Sequence, residues 1–215
     1  MNVESNTLAD SLHKIRFCAL AGTEAHLLTP RQARRVGPGI RGKWKSRWFY
    51  GLKKGLLLEQ FVNWGSEDRD ILRFVQRYGP LLHSPFKSGG FAFNLQLWET
   101  WQKMWRDRWR ELTAGPGEFE FRSSLNGTLM FVAGRFELRV NDLDTFMMLE
   151  AAASDRTRFR ICANPDCLTP YFFARHRRNR YCTEPCVDWS QKEAKKKWWK
   201  DNGQEWRKSR DAKSP

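Results

Sequence analysis

Long apolar runs are missing from this 215-residue chain, and none approaches the ~20 residues of a membrane span. The stretch from Met1 to Lys14 is polar, carries Glu4 and Asp10 and lacks the apolar centre of a secretory signal, so a cytoplasmic location is expected. Histidine is scarce: His13, His26, His83 and His176 are widely scattered. Neither His-Glu-x-x-His nor Gly-x-Ser-x-Gly occurs, which removes the signatures of zinc peptidases and serine hydrolases. Gly37-Pro-Gly-Ile-Arg-Gly42-Lys43 fits the first seven positions of a phosphate-binding loop, but Trp44 stands where Ser or Thr must reach Mg²⁺. It reads as a basic turn, and the chain is not expected to be an enzyme. Acids are also in deficit. Against 38 Lys and Arg there are 24 Asp and Glu, a net charge of +14, and such a surplus favours a polyanionic partner. With 40% hydrophobic residues and 14% aromatic, the chain has ample material for a packed core.

Cysteine is sparse but clustered. Cys18 stands alone in Phe17-Cys-Ala-Leu20 and reads as a small core residue. The other four form Cys162-x4-Cys167, a 14-residue spacer and Cys182-x3-Cys186. Two ligand pairs separated by a loop are the layout of a closed tetrahedral Zn²⁺ site, and a reducing compartment favours metal over disulfides. Cys162-Ala-Asn-Pro-Asp-Cys167 brackets a turn that brings both sulfurs to one point. Thr183, Glu184 and Pro185 suit a helix start, which places Cys186 where free N–H groups favour a thiolate. A knuckle followed by a ligand-bearing helix is a treble-clef-like arrangement. His176 is the one other candidate ligand near the cluster, the alternative to one of the four sulfurs.

Charge is concentrated in the same region. Residues 156–215 hold 16 Lys and Arg against 7 Asp and Glu, so 16 − 7 = +9 of the +14 lies there. Zn²⁺ with four thiolates carries −2 and lowers that figure without reversing it. Arg175, Arg177, Arg178 and Arg180 lie between the cysteine pairs, beside Tyr171, Phe172 and Phe173. A helix over roughly 184–201 follows and is expected to end at Asn202-Gly203. Val187, Gln191, Ala194 and Trp198 form a stripe suited to packing, while Lys192, Lys196 and Lys200 share another face with Lys195 and Trp199 beside it. That face is either a phosphate-binding surface or a solvated helix. Upstream, Arg31 to Lys54 contains nine cations and no acid, with Arg41, Lys43, Lys45 and Arg47 interleaved among Trp44, Trp48, Phe49 and Tyr50. Those aromatics either stack on bases or belong to the core.

The remainder is an α+β body, mainly helical with a small antiparallel β-meander. Helices are expected over 56–64 and 67–78, the second capped by Ser66. A longer one over 94–113 carries Trp98, Trp101, Trp105 and Trp109 on a core-facing stripe. After Gly115-Pro-Gly117 the period becomes two. Phe119 and Phe121 alternate with charges, Asn126-Gly127 offers a hairpin turn, and two strands end at Val132 and Val140. Asn141 is placed to cap a helix over 142–153. The division expected is a body, 1–155, and a four-cysteine zinc finger with basic helix and tail, 156–215.

The pattern of Cys162, Cys167, Phe172-Phe173, Arg180-Tyr181-Cys182, Cys186 and a Lys-rich helix from Lys192 to Lys200 resembles the C-terminal zinc finger of bacterial CGNR-type proteins. These often carry an N-terminal α+β domain and are regarded as stress-related transcription regulators. The resemblance implies zinc and DNA binding. The Cys-Gly-Asn-Arg tetrad that names the family is here Cys186-Val-Asp-Trp189, so a role carried by its arginine does not transfer. The expected partner is nucleic acid, DNA ahead of RNA. The alternative is a non-catalytic zinc-stabilised subunit docking on a larger protein or ribonucleoprotein assembly.

Overall fold

A computed structural model of the chain describes residues 15–20, 23–36, 39–44, 48–51, 55–81, 90–114 and 127–211. In chain order the elements are β1 (Ile15–Leu20), β2 (Thr23–Leu27), α1 (Pro30–Val36), β3 (Gly39–Trp44), β4 (Trp48–Phe49), α2 (Leu57–Asn63) and α3 (Asp68–Tyr78). There follow β5 (Gly90–Asn94), α4 (Gln96–Thr113), β6 (Gly127–Val132), β7 (Arg135–Val140) and α5 (Leu143–Ala152). A 3₁₀ turn (Arg156–Arg158), β8 (Phe159–Ile161), β9 (Tyr171–Phe173) and α6 (Glu184–Asp211) complete the described elements. The architecture is mixed α+β, as expected.

The core is aromatic and centred on α4. Trp98, Trp105, Trp109 and Leu112 are buried, and Trp101 packs against them half-buried. Phe61 and Phe74 meet Trp98 edge-on at 4.9 and 5.1 Å between ring centres, a favoured aromatic geometry. Gln102, also buried, donates through Nε2 to the carbonyls of Phe61 and Trp64 at 3.0 and 2.8 Å. It thereby satisfies the open C-terminal end of α2. Ser66 donates to Gln102 Oε1 at 3.1 Å instead of capping α3, whose N-cap is Glu67. At α5 the cap is Asp142, accepting from Thr145 N at 2.6 Å, one residue beyond the expected Asn141.

Among the described residues, three small sheets flank this core. The largest has the order β4-β1-β7-β6. The β6–β7 hairpin is present, turning at Ala133 and Gly134, both at positive φ, as a two-residue hairpin requires. Gly127 is not in a turn. It opens β6 opposite Val140, where a Cβ would lie 2.8 Å from the Arg139 carbonyl. The expected meander strand at Phe119 and Phe121 lies outside the described residues. On its other side β7 pairs with β1 in parallel, Phe17 opposite Leu138 and Ala19 opposite Val140. Short-range patterning cannot reveal a partner so distant in sequence; this parallel pair adds to the expected antiparallel β6–β7 pair. Beyond the reach of α5, Leu129, Phe131 and Phe136 stay exposed, Phe131 at 67%.

β2, β3 and β5 form a second, antiparallel sheet with β3 in the middle. Residues 39–44 are thus an extended strand, which removes the phosphate-loop reading. Two aromatics of the upstream basic stretch, Trp48 and Phe49, are half-buried against the body, whereas Tyr50 is exposed. Phe49 packs on Tyr78 and Phe146, and Arg139 lies over the Trp48 ring. Arg16 lies over Tyr50, 3.5 Å from its ring centre.

Helix α2 has no side-chain cap of its own. Its start is held from another helix: Glu150 Oε2 accepts from Leu58 N at 3.0 Å. Desolvation pushes the Glu150 carboxyl up to about 7, so folding favours its protonated form. The stabilising contribution is full below the ordinary carboxylate range and is lost as pH rises from about 4.5 to past 7, worth about 3 kcal/mol. Glu150→Gln keeps the acceptor and removes the titration. Urea unfolding of both proteins across pH 4.5 to 8 should show the wild type losing about that much relative to the variant; parallel profiles would remove this assignment.

Candidate metal centre and basic surface

The centre is built on a short hairpin pinned to the body. β8 and β9 pair antiparallel, with Phe159 opposite Phe173 and Ile161 opposite Tyr171. Trp109 meets the Phe159 ring edge-on at 4.7 Å, and its Nε1 donates to the Arg160 carbonyl at 2.9 Å. Asn63 clasps the Tyr171 backbone from both sides. Its Nδ2 donates to the Tyr171 carbonyl at 2.6 Å, and its Oδ1 accepts from Tyr171 N at 3.2 Å. Arg110 donates to the Tyr171 hydroxyl at 2.9 Å.

Beyond this hairpin the chain makes two turns that face each other. Cys162 N donates to the Pro170 carbonyl at 2.7 Å and Cys167 N to the Asn164 carbonyl at 3.2 Å, closing the first knuckle. Ala163 N donates to the Arg180 carbonyl at 2.9 Å and so ties the first turn to the second. Thr183 then opens α6, its carbonyl accepting from Cys186 N and Val187 N. As a result the sulfurs of Cys162, Cys167, Cys182 and Cys186 all lie within 4.8 Å of one another. These four can bind a metal ion. Ideal tetrahedral thiolates around zinc, with Zn–S of ~2.3 Å, would stand about 3.8 Å apart. Cys167 and Cys182 are 3.4 Å apart here, and Cys182 and Cys186 are 3.8 Å apart.

The surroundings are those of a small separate core. Cys162, Phe172, Ala174 and Cys186 are buried together, with Tyr181 packed beside them. Asn164, itself buried, donates from Nδ2 to Cys186 Sγ at 3.4 Å. That bond, with Thr183 next in effect, brings the Cys186 thiol down to about 7, while burial pushes Cys167 and Cys182 up. A bound cation would offset that desolvation and favour all four as thiolates. Asn164 was readable from sequence only as part of a turn; its contact with Cys186 depends on the second knuckle folding back.

The cations around the centre point outward. Arg175, Arg177, Arg178 and Arg180 are all exposed. Arg177 pairs with Asp155 at 3.6 Å, with both groups largely in solvent. Its carbonyl accepts from Arg160 Nη2 at 2.9 Å, which holds the loop to the hairpin. Tyr181 donates to Ser190 Oγ at 2.7 Å and sets the angle at which α6 leaves the centre.

Helix α6 departs from two expectations. It does not stop at Asn202-Gly203 but runs 28 residues to Asp211, a rod of about 42 Å. From Gln191 to Ser209 every side chain is exposed except the half-buried Glu193, and Gly203 is buried. The stripe of Val187, Gln191, Ala194 and Trp198 therefore does not pack on the body. Gly203 keeps a helical φ and lies under the Trp199 ring, where a Cβ would sit 2.9 Å from an indole carbon. A mid-helix glycine costs about 0.5–1 kcal/mol relative to alanine. Trp199 meets Trp206 edge-on across it at 5.2 Å, a contact that offsets about that much.

Lys192, Lys195, Lys196, Trp199 and Lys200 are all exposed on this rod, Lys196 in a 2.6 Å ion pair with Glu193. Arg41 and Lys43 are also exposed, but on the separate β2-β3-β5 sheet, opposite His26 and Glu24. Lys45 and Arg47 lie outside the described residues. No helix among the described residues is long and apolar enough to cross a membrane. Comparison of the chain with protein-family models, with curated proteins and with solved structures finds no match to any of them.

The Asn63 clasp gives this arrangement a direct check. Asn63→Ala leaves two partly buried backbone groups of β9 unpaired and should destabilise the protein by about 1–3 kcal/mol. Chemical denaturation measures it, and a change within error would mean the hairpin is held elsewhere.

Proposed function

We propose that the four cysteines hold a structural Zn²⁺ and that the chain is a nucleic-acid-binding protein, a DNA-binding transcription regulator of the bacterial CGNR type. The observation that carries this reading is the convergence of four sulfurs at the root of a solvent-exposed cationic helix. Sulfur ligation suits zinc among the abundant divalent ions. Four thiolates close the coordination shell, so the ion clips two turns together and offers no position for a substrate. The reading is thus binding rather than catalysis. Arg175, Arg177 and Arg178 from the knuckle loop and Lys192, Lys196 and Lys200 from α6 would meet phosphates, which give affinity and orientation without sequence information. Arg41 and Lys43 would extend that contact on the body.

Docking on a protein or ribonucleoprotein assembly is the second reading. It is favoured by the exposed trio Leu129, Phe131 and Phe136, at 57, 67 and 50%, on the strands β6 and β7.

Elemental analysis of reduced, purified protein should find stoichiometric zinc. Chelation should release it, lower the melting temperature and weaken nucleic-acid binding together. Protein free of transition metal, with unchanged stability, would defeat the zinc assignment. The cationic face is tested through salt dependence. Replacing Lys192, Lys196 and Lys200 with Ala should flatten the plot of log K against log salt by about 0.9 per lost phosphate contact on duplex DNA, and by about 0.7 on single strands. An unchanged slope would take this face out of the interface.

A further inference from the structure

The nucleic-acid reading leaves open which form of nucleic acid α6 would take, and the tryptophans of the helix bear on that. Trp198, Trp199 and Trp206 are 45, 48 and 40% exposed, a large aromatic surface on a helix with no core of its own. Trp198 and Trp206 each meet Trp199 edge-on, at 5.1 and 5.2 Å. Trp199 is seated on Gly203, where no side chain lifts it from the backbone. Its ring is thereby held in place before any ligand arrives.

Charge on the helix is sorted around the same rings. At about 100° per residue, Lys192, Lys195, Lys196, Lys200 and Arg207 fall on the side of Trp199 and Trp206. Acids on that side lie towards the N-terminal half, Glu184 and Asp188 in the first turns beside the cysteines and Glu193 at the margin, paired with Lys196. On the opposite side Asp201 and Glu205 alternate with Lys197 and Lys208, which leaves it neutral. A helix merely kept soluble by charge has no need of this segregation.

The chemistry narrows the occupant. A second copy of the helix would set Lys192 and Lys195 against like charge or against Arg207 in either orientation, which is repulsive. An anionic membrane surface would want an apolar sector of aliphatic and aromatic residues, whereas this side carries indoles set among lysines with no Leu, Ile or Val. Duplex DNA presents phosphates to the lysines, but its base faces are hidden in the stack and its edges are read by hydrogen-bonding groups, which an indole ring largely lacks. Single strands present both phosphates and open base faces, and stacking on aromatic side chains is worth about 1–3 kcal/mol per base.

We propose that the Trp199–Trp206 side of α6 binds single-stranded nucleic acid in preference to duplex, with the indoles stacking on bases and the flanking lysines following the backbone. The proposal rests on the nucleic-acid reading above and specifies its substrate. The test uses the full-length, zinc-loaded chain, fluorescence anisotropy, and labelled oligothymidylate beside a duplex of equal length. The single strand should bind about tenfold tighter or more. Trp199→Ala with Trp206→Ala should remove about tenfold or more of that affinity while changing duplex affinity by less than about twofold, and replacing both by Phe should retain most of it. Circular dichroism checks that the helix persists in each variant. Equal affinity for both forms, indifferent to the double Ala change, overturns this proposal and leaves the nucleic-acid reading standing. Failure to bind either form overturns both. Binding confined to phosphatidylserine vesicles assigns the face to a membrane surface and overturns the proposal as well.

Discussion

The two knuckles and the start of α6 meet at four sulfur atoms within 4.8 Å of one another. Two short turns cannot bury a core of their own, and Phe172 and Ala174 supply little apolar area besides the cysteines. Small elements of this kind draw their stability from a crosslink or a metal. Orientation comes from elsewhere. Trp109, Asn63 and Arg110 grip the β8–β9 hairpin from two body helices, so the knuckles grow from a fixed base. Tyr181 and Ser190 then carry that orientation into α6.

This division of labour leaves the helix exposed. An α-helix of 28 residues with almost no buried side chain beyond its first turns is stabilised by local terms, since tertiary packing normally supplies most helical stability. The Lys196–Glu193 pair contributes little, being exposed. The indole contacts around Gly203 span the weakest point of the rod. Rings that hold the helix together therefore also face solvent, and a ligand that stacks on them meets a surface already ordered. Such preorganisation reduces the entropy lost on binding.

The body uses the opposite strategy. Its polar groups are placed where helix ends and strand edges would otherwise go unpaired: Gln102 at the end of α2, Glu150 at its start, Asp142 at α5. Glu150 does so at the expense of its own ionisation, because the carboxylate is desolvated between two helices. Arg31, Arg34, Arg41 and Lys43 of the upstream basic stretch are exposed, while Trp48 and Phe49 are half-buried against the body. A composition that resembles a nucleic-acid surface thus divides into core and solvent faces once β3 and β4 form.

Much of this was legible from local pattern. The tryptophan stripe of α4, the helices on either side of Gly65, the strands β6 and β7 and the paired cysteines each depend on neighbours a few residues apart, and the sequence alone determined them. Side-chain spacing is enough there, because helix and strand periodicity acts at short range. Tertiary structure decided what needed distant partners. The parallel union of β1 with β7, the clasp of Asn63 on β9 and the bond from Asn164 to Cys186 all join segments that no local rule connects. It also decided where α6 ends. Asn202-Gly203 has the chemistry of a helix stop, but a glycine adopts a left-handed cap only when nothing rewards the helical alternative, and here an indole lying across it does.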